Sequence, residues 1–268
     1  MPITTLDGAL AGMQYPREII KAATPTLVVG RPHSLLYLAG QPGAGAAPAV
    51  GLSGAALTTY GGQVPFTNPT GGDFTYLARF SGQAGQAGLL QLCDRLWHNA
   101  GFTITSTGAQ TITSVAWPAR DAFGTANGEA VVLGVEISAA TGAGTPTITV
   151  SYTNQANTSG RTGTNVVPTV ASSAIGAFYP IGLDAGDTGV RSVQSLTLSA
   201  TWTSGTMHLV AYRVLARVEL TTANVPAAVD PLTSGFPRLY DNTVPFMLFT
   251  PSATTASVVG GQVIWAQG

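Results

Sequence analysis

The stretch AVVLGVEIS, residues 130–138, places Val131, Leu133, Val135 and Ile137 on one parity. That period of two marks a β-strand with one face turned to a core. The same signal continues on both sides. Phe102, Ile104 and Ile112 alternate with Thr and Ser, and Ile148 and Val150 lead into Tyr152. Val190, Val193, Leu196 and Leu198 form a further run with one slip of register, which a β-bulge absorbs. The segment MHLVAYRVLARVEL (207–220) carries apolar residues on both parities, with Arg213, Arg217 and Glu219 breaking one of them, so both of its faces read as partly buried. Turn signals separate the runs: Asn127-Gly128, Gly142–Pro146, Asn157–Gly160, Asp184–Gly189 and Ser204-Gly205. Short strands at this spacing predict a mainly β fold, an antiparallel β-sandwich or jelly-roll-like body over residues 100–220.

The flanks are less regular. Residues 1–99 read as an irregular N-terminal arm and loop-rich region. Residues 7–22 pattern as an amphipathic helix that Pro16 limits to a turn or two on each side. The Gly- and Pro-rich stretch 40–72 reads as a contact loop reaching outward. LLQLCDRLW (89–97) fits either a helical face, through Leu89, Leu92, Cys93 and Leu96, or a strand, and the strand is preferred because TYLARF (75–80) offers a hairpin partner. Residues 221–268 form a C-terminal docking segment, in which PFMLF and a terminus containing Val263, Ile264 and Trp265 pack onto the body.

Composition narrows the function. Charged residues are 9% of the 268 and the net charge is −1, against about 25% charged in an ordinary soluble domain. So sparse a charged surface protects a monomer poorly from association, which predicts an assembled protein. Lys21 and ten arginines, spread from Arg17 to Arg238, offer no phosphate-binding cluster, so nucleic acid is not an expected partner. Cys93 stands alone among leucines and reads as a buried inert thiol. The opening MPITTLDGALAG has no basic, apolar leader pattern, and prolines interrupt the small-residue stretch 40–56. The expectation is a protein folded in a cytoplasm, with no membrane partner.

No catalytic, cofactor-binding or metal-ligating residue is assigned. His33, His98 and His208 are far apart in sequence and outside any metal-ligand spacing. GLSGA around Ser53 lacks the spacing of a nucleophile elbow, and the single lysine follows no phosphate-binding loop. Asp184 and Asp187 in LDAGDTG are the best candidates for acid chemistry or a cation, but an Asx-type turn accounts for the same letters. The adjacent charges Asp94–Arg95 and Arg120–Asp121 read as core or inter-subunit ion pairs. Asn157-Thr158-Ser159 matches a glycosylation triplet, read as chance. Trp97, Trp117, Trp202 and Trp265 read as core or interface anchors. Trp117-Pro118 and Phe66–Pro69 are the segments suited to lining a sugar groove.

The phrases DRLWHNAGFTITSTGAQTITS, WPARD, VSYTNQANTSGRTGT and LDAGDTGVRSVQSLTLSATW, with the ending GFPRLYDNTVPFMLFTPSATTASVVGGQVIWAQG, resemble a group of tailed-bacteriophage virion structural proteins. The resemblance runs over most of the chain and carries no active-site residues. It implies a β-rich virion component assembled in the host cytoplasm. The first expectation is a capsid decoration (cement) protein, associating as a trimer and clamping the major capsid protein. The alternative is a tail, baseplate or fibre component with host-glycan-binding loops. A glycan-cleaving enzyme ranks last, for want of a carboxylate pair in a catalytic setting.

Overall fold

The computed structural model describes residues 3–231, 235 and 237–268. It is mainly β, with two antiparallel sheets. The long period-two segments supply its strongest strands: β5 (Thr75–Ala84), β6 (Gly88–His98), β8 (Val131–Ala139), β9 (Ile148–Asn154), β12 (Val190–Leu198), β13 (Thr206–Leu220), β16 (Pro245–Pro251) and β17 (Val259–Gln267). Shorter strands are β1 (Arg17–Lys21), β2 (His33–Ser34), β3 (Gly40–Gln41), β4 (Ala55–Ala56), β7 (Gln110–Thr111), β10 (Arg161–Asn165), β11 (Phe178–Gly182), β14 (Ala227–Val229) and β15 (Arg238–Leu239), with one helix, α1 (Leu6–Ala11).

The large sheet runs β2-β16-β6-β13-β8-β11-β10-β9-β12-β7, with β4 also on β6. Its far half curls, so that Val135, Val150, Leu196 and Leu209, from four different strands, meet in one buried cluster. The row Val131, Leu133, Val135 and Ile137 is fully buried in that cluster, as its alternation predicts. The slip in β12 is real: its pairing with β9 shifts register between Val190 and Ser192 and again between Val193 and Ser195. At the other end β2 bridges two strands. It pairs with β16 through Ser34↔Leu248, and His33 bridges Ala177 just before β11. Strands β16, β6, β13, β8, β11 and β2 thereby close a ring of backbone hydrogen bonds. Cys93, Phe178, Val210, Tyr212 and Phe246 form a second cluster on those strands.

The small sheet, β14-β5-β17-β1-β3 with β15 also on β5, packs onto the face of the large one. Leu77, Phe80, Val263 and Trp265 from the small sheet meet Leu90, Leu92, Val218 and Phe249 from the large one in the third cluster. Strand β13 serves all three clusters: Met207 and Leu209 enter the first, Val210 and Tyr212 the second, Val218 and Leu220 the third. Register shifts between Ala211 and Tyr212 and between Val214 and Ala216 re-aim its side chains along the way. This is why both of its parities are apolar.

Three expectations need correction. The 7–22 pattern is not a helix on both sides of Pro16. The helix stops at Ala11, and residues 17–21 form β1, because Ile19 and Lys21 are buried on one face at strand spacing. The segment 89–97 is a strand, but TYLARF is not its hairpin partner. Strands β5 and β6 lie in different sheets, and their apolar rows are buried against each other face to face instead of edge to edge. The stretch 40–72 does not reach outward either. Leu57 and Val64 are buried, Leu57 N donates to the Leu96 carbonyl, and Trp97 Nε1 and Asn99 Nδ2 donate to the carbonyls of Ser53 and Leu52. A side chain at Gly54 (φ +72°) would strike the Trp97 indole, so glycine lets this loop lie flush on the body.

Candidate functional site

Residues adjacent on a strand point to opposite faces, and this decides how the buried charges pair. Asp94 and Arg95 do not pair with each other. Arg120 grips Asp94 with two bonds, Nε–Oδ2 at 2.9 Å and Nη2–Oδ1 at 3.2 Å, and also donates to the carbonyls of Leu57 and Arg95. Arg95 turns the other way, its Nη1 2.8 Å from Glu136 Oε2, with both side chains fully buried. Tyr37 donates to the same carboxylate oxygen at 2.9 Å. Asp121 pairs with neither arginine. Its carboxylate accepts from the backbone of Phe123, Thr125, Gly128 and Glu129 and from the Thr125 hydroxyl, fixing its own loop.

The three histidines, remote in sequence, converge on this network. His98 Nδ1 accepts from Arg95 Nε at 3.2 Å, and its ring stacks edge-on against Tyr60. His208 sits opposite Glu136 on β13, with one ring nitrogen against the Asn99 carbonyl and the other against Ser138 Oγ. His33, on β2, feels the charges of Arg31 and Glu136. Burial is the largest cause holding all three below the usual imidazole range, His33 to about 4 and His98 to about 3. They are neutral packing groups at neutral pH. Among the described residues no group of three or more His, Cys, Asp or Glu side chains is placed to hold a metal ion.

The Asp184/Asp187 pair meets an arginine. Arg161 on β10 contacts Asp187 Oδ2 at 2.9 Å and Asp184 Oδ2 at 3.3 Å. Asp187 also accepts from Tyr152 Oη (2.6 Å) and Asn154 Nδ2 (2.7 Å). These bonds, with that to Arg161 the largest, hold its carboxyl at about 2, below its ordinary value. The pair is a clamp that ties the β11–β12 turn to β9 and β10. Asp187→Ala is expected to cost about 1–3 kcal/mol, the loss of hydrogen bonds to a charged acceptor, read as a lower denaturant midpoint. An unchanged midpoint would remove the clamp's structural role.

The other candidates are packing groups as well. Cys93 is fully buried, and burial pushes its thiol well above the ordinary range. All four tryptophans are buried, and the indoles of Trp97, Trp202 and Trp265 donate to the carbonyls of Ser53, Val170 and Pro65. Asn157 holds a turn at φ +64°. No helix among the described residues is long and apolar enough to cross a membrane.

One surface departs from ordinary packing. Helix α1 begins at Thr5, whose hydroxyl accepts from Gly8 N, and turns its small side inward: Ala9 is buried. Gly12 lies so close to the Gln267 carbonyl that no Cβ would fit, Gln267 N donates to the Gly12 carbonyl, and Gln14 N donates to that of Trp265 on β17. The large apolar side chains point to solvent instead. Leu6 is 75% exposed, Leu10 56%, Met13 42% and Tyr15 86%. A helix that buries alanine and exposes leucine inverts the usual arrangement of a surface helix. The i, i+4, i+7 spacing of Leu6, Leu10 and Met13 is legible in the sequence. Which way that stripe faces is not.

Comparison with known proteins adds little. No protein-family model matches the chain, and no curated protein matches it. Among solved structures, the infectious bursal disease virus VP2 subviral particle aligns over 95% of this chain and 80% of that one, at 7% identity and a TM-score of 0.17. That score is too low to indicate a common fold.

Proposed function

We propose that the chain is a structural component of a bacteriophage particle, a capsid decoration protein that stabilises the coat lattice by protein–protein contacts and performs no chemistry. The observation that carries this reading is the set of exposed apolar side chains Leu6, Leu10, Met13 and Tyr15 on the N-terminal segment, which β17 holds to the body. Covering each of the larger side chains with a partner is worth about 1.5–3 kcal/mol, and a contact repeated over a lattice multiplies that modest gain. The 9% charged composition and the phage-like phrases support the same reading. Its partners are the major capsid protein and further copies of itself, in the trimer expected from the sequence, within the virion.

Because β1 lies between β17 and β3, removing the whole N-terminal segment would damage the small sheet, so substitution is the cleaner test. Leu6→Asp with Leu10→Asp is expected to lower the number of copies per particle at least about tenfold, with the melting temperature of the free protein unchanged. Undiminished occupancy overturns the docking role. Copy number separates the alternatives: hundreds per particle fit decoration, whereas about six to twelve fit a tail or fibre component.

A further inference from the structure

The two segments that read as sugar-groove candidates in the sequence lie along one cleft. Pro118 lines a cavity of about 410 Å³ together with Phe74, Tyr240 and Asp241. Phe66 and Asn68 line a neighbouring one of about 380 Å³. Thr58 and Asn242 border both, which makes the two cavities a continuous groove between the 58–68 loop and the start of β16. Its walls are braced: Asn68 Nδ2 donates to Asn242 Oδ1 at 2.9 Å, and Asn242 N donates to Asn68 Oδ1 at 2.7 Å.

The chemistry of the lining selects a ligand class. The cations at this groove are already engaged. Arg120 is consumed by Asp94 and two carbonyls, and the Arg238 guanidinium lies 3.5 Å over Phe74 and 4.8 Å from Tyr240. Arg238 keeps its charge, but the Asp73 and Asp241 carboxylates share the same lining, so the groove has no excess of positive charge to hold an anion, and the Asp241 carboxylate, which has no hydrogen-bond or ion-pair partner among the described residues, would repel one. What the groove offers is an unpartnered carboxylate acceptor, exposed amide and hydroxyl groups, and an aromatic wall at Phe66, fixed edge-to-face on Trp265 at 5.9 Å. Adjacent hydroxyls on a ring pair with planar carboxylate and amide groups, and ring C–H groups pack on the electron-rich face of an aromatic. A few convergent polar groups in a pre-formed concavity are the ordinary build of a small-ligand site.

We propose that this groove binds a neutral saccharide, with Asp241 and Asn242 as the hydroxyl-reading residues and Phe66 as the stacking wall. The site is independent of the N-terminal docking surface, so either reading stands if the other fails.

The test uses the full chain in calorimetric titrations with malto-, cello-, manno- and chitohexaose, and with 3′-sialyllactose as an anionic comparison. At least one neutral hexasaccharide is expected to bind, and Asp241→Ala and Asn242→Gly are each expected to weaken it about tenfold or more. Glycine suits position 242, where φ is +61°, and Asp241 is exposed, so unchanged melting of both variants is expected to accompany the lost binding. Absence of binding by all four hexasaccharides, affinity unmoved by both variants, or preference for the sialylated probe would each overturn the proposal.

Discussion

Replacing Arg120 by methionine lowers the stability of the fold by about 3–5 kcal/mol, the cost of stranding one member of a buried ion pair. The Asp94 side chain has no exposure and Arg120 only 2%. Without the guanidinium, the carboxylate keeps a single bond, from Val244 N at 2.9 Å. The carbonyls of Leu57 and Arg95 lose their donor in the same step. Arg120 joins the 117–121 segment to β6 and to the loop after β4, so the loss falls where three parts of the chain meet. The double variant Asp94→Leu/Arg120→Met is expected to recover part of the stability, because it removes the stranded charge and leaves only unpaired carbonyls. Urea midpoints of the single and double variants check both statements. A single variant within about 1 kcal/mol of the parent would mean that the pair contributes no more than a surface contact.

Acid produces the second large effect. In an unfolded chain each histidine takes up a proton near pH 6.5. In the fold, His33 does so only at about 4 and His98 at about 3, with His208 lowered in the same direction. Across that interval the unfolded state binds more protons than the folded one, so stability is fully present above about pH 6.5 and is lost as the pH falls toward 4. Each unit of depression corresponds to about 1.4 kcal/mol, so His33 and His98 together withdraw several kcal/mol by pH 4. The Asp187 carboxyl is also depressed, but its stabilisation is present above its ordinary 3.8 and is lost only as pH falls through about 2, outside this window. Urea midpoints that stay level between neutrality and pH 4 would contradict the buried, neutral state of the histidines. A His98→Gln variant is expected to flatten the profile even where it lowers the plateau.

How legible this was in the sequence depends on the range of the interaction. The row Val131, Leu133, Val135 and Ile137 announced its strand because alternation is local, and so did the slip in β12. The small sheet was not legible, because β1 and β5 take their pairing from β17, at the far end of the chain. Pattern alone marks Arg17–Lys21 only as a short amphipathic piece. The sequence marks Asp94, Arg95, Arg120 and Asp121 as ion-pair charges without giving their partners, because sequence neighbours on a strand diverge and Asp94 finds Arg120 across the fold. The convergence of three histidines has no local trace at all. For α1, the pattern marks an amphipathic segment over 7–22 but not its end at Ala11, and only the close approach of Gly12 to Gln267 shows which side is free.

The place of β17 between β5 and β1 also sets an order of events during synthesis. Arg17 and Lys21 pair with Val263 and Val259, so β1 waits for a neighbour made roughly 240 residues later, at the slow end of contact-order behaviour. At about 5–20 residues per second the wait is on the order of tens of seconds. Throughout it, β5 presents an unpaired edge and the apolar residues Leu77, Phe80 and Ala84 to solvent. A ribosome stalled before residue 259 would release a chain with its larger sheet able to form and its smaller one open. Such products would be sticky, and the yield of folded protein would depend on how quickly β17 follows the rest.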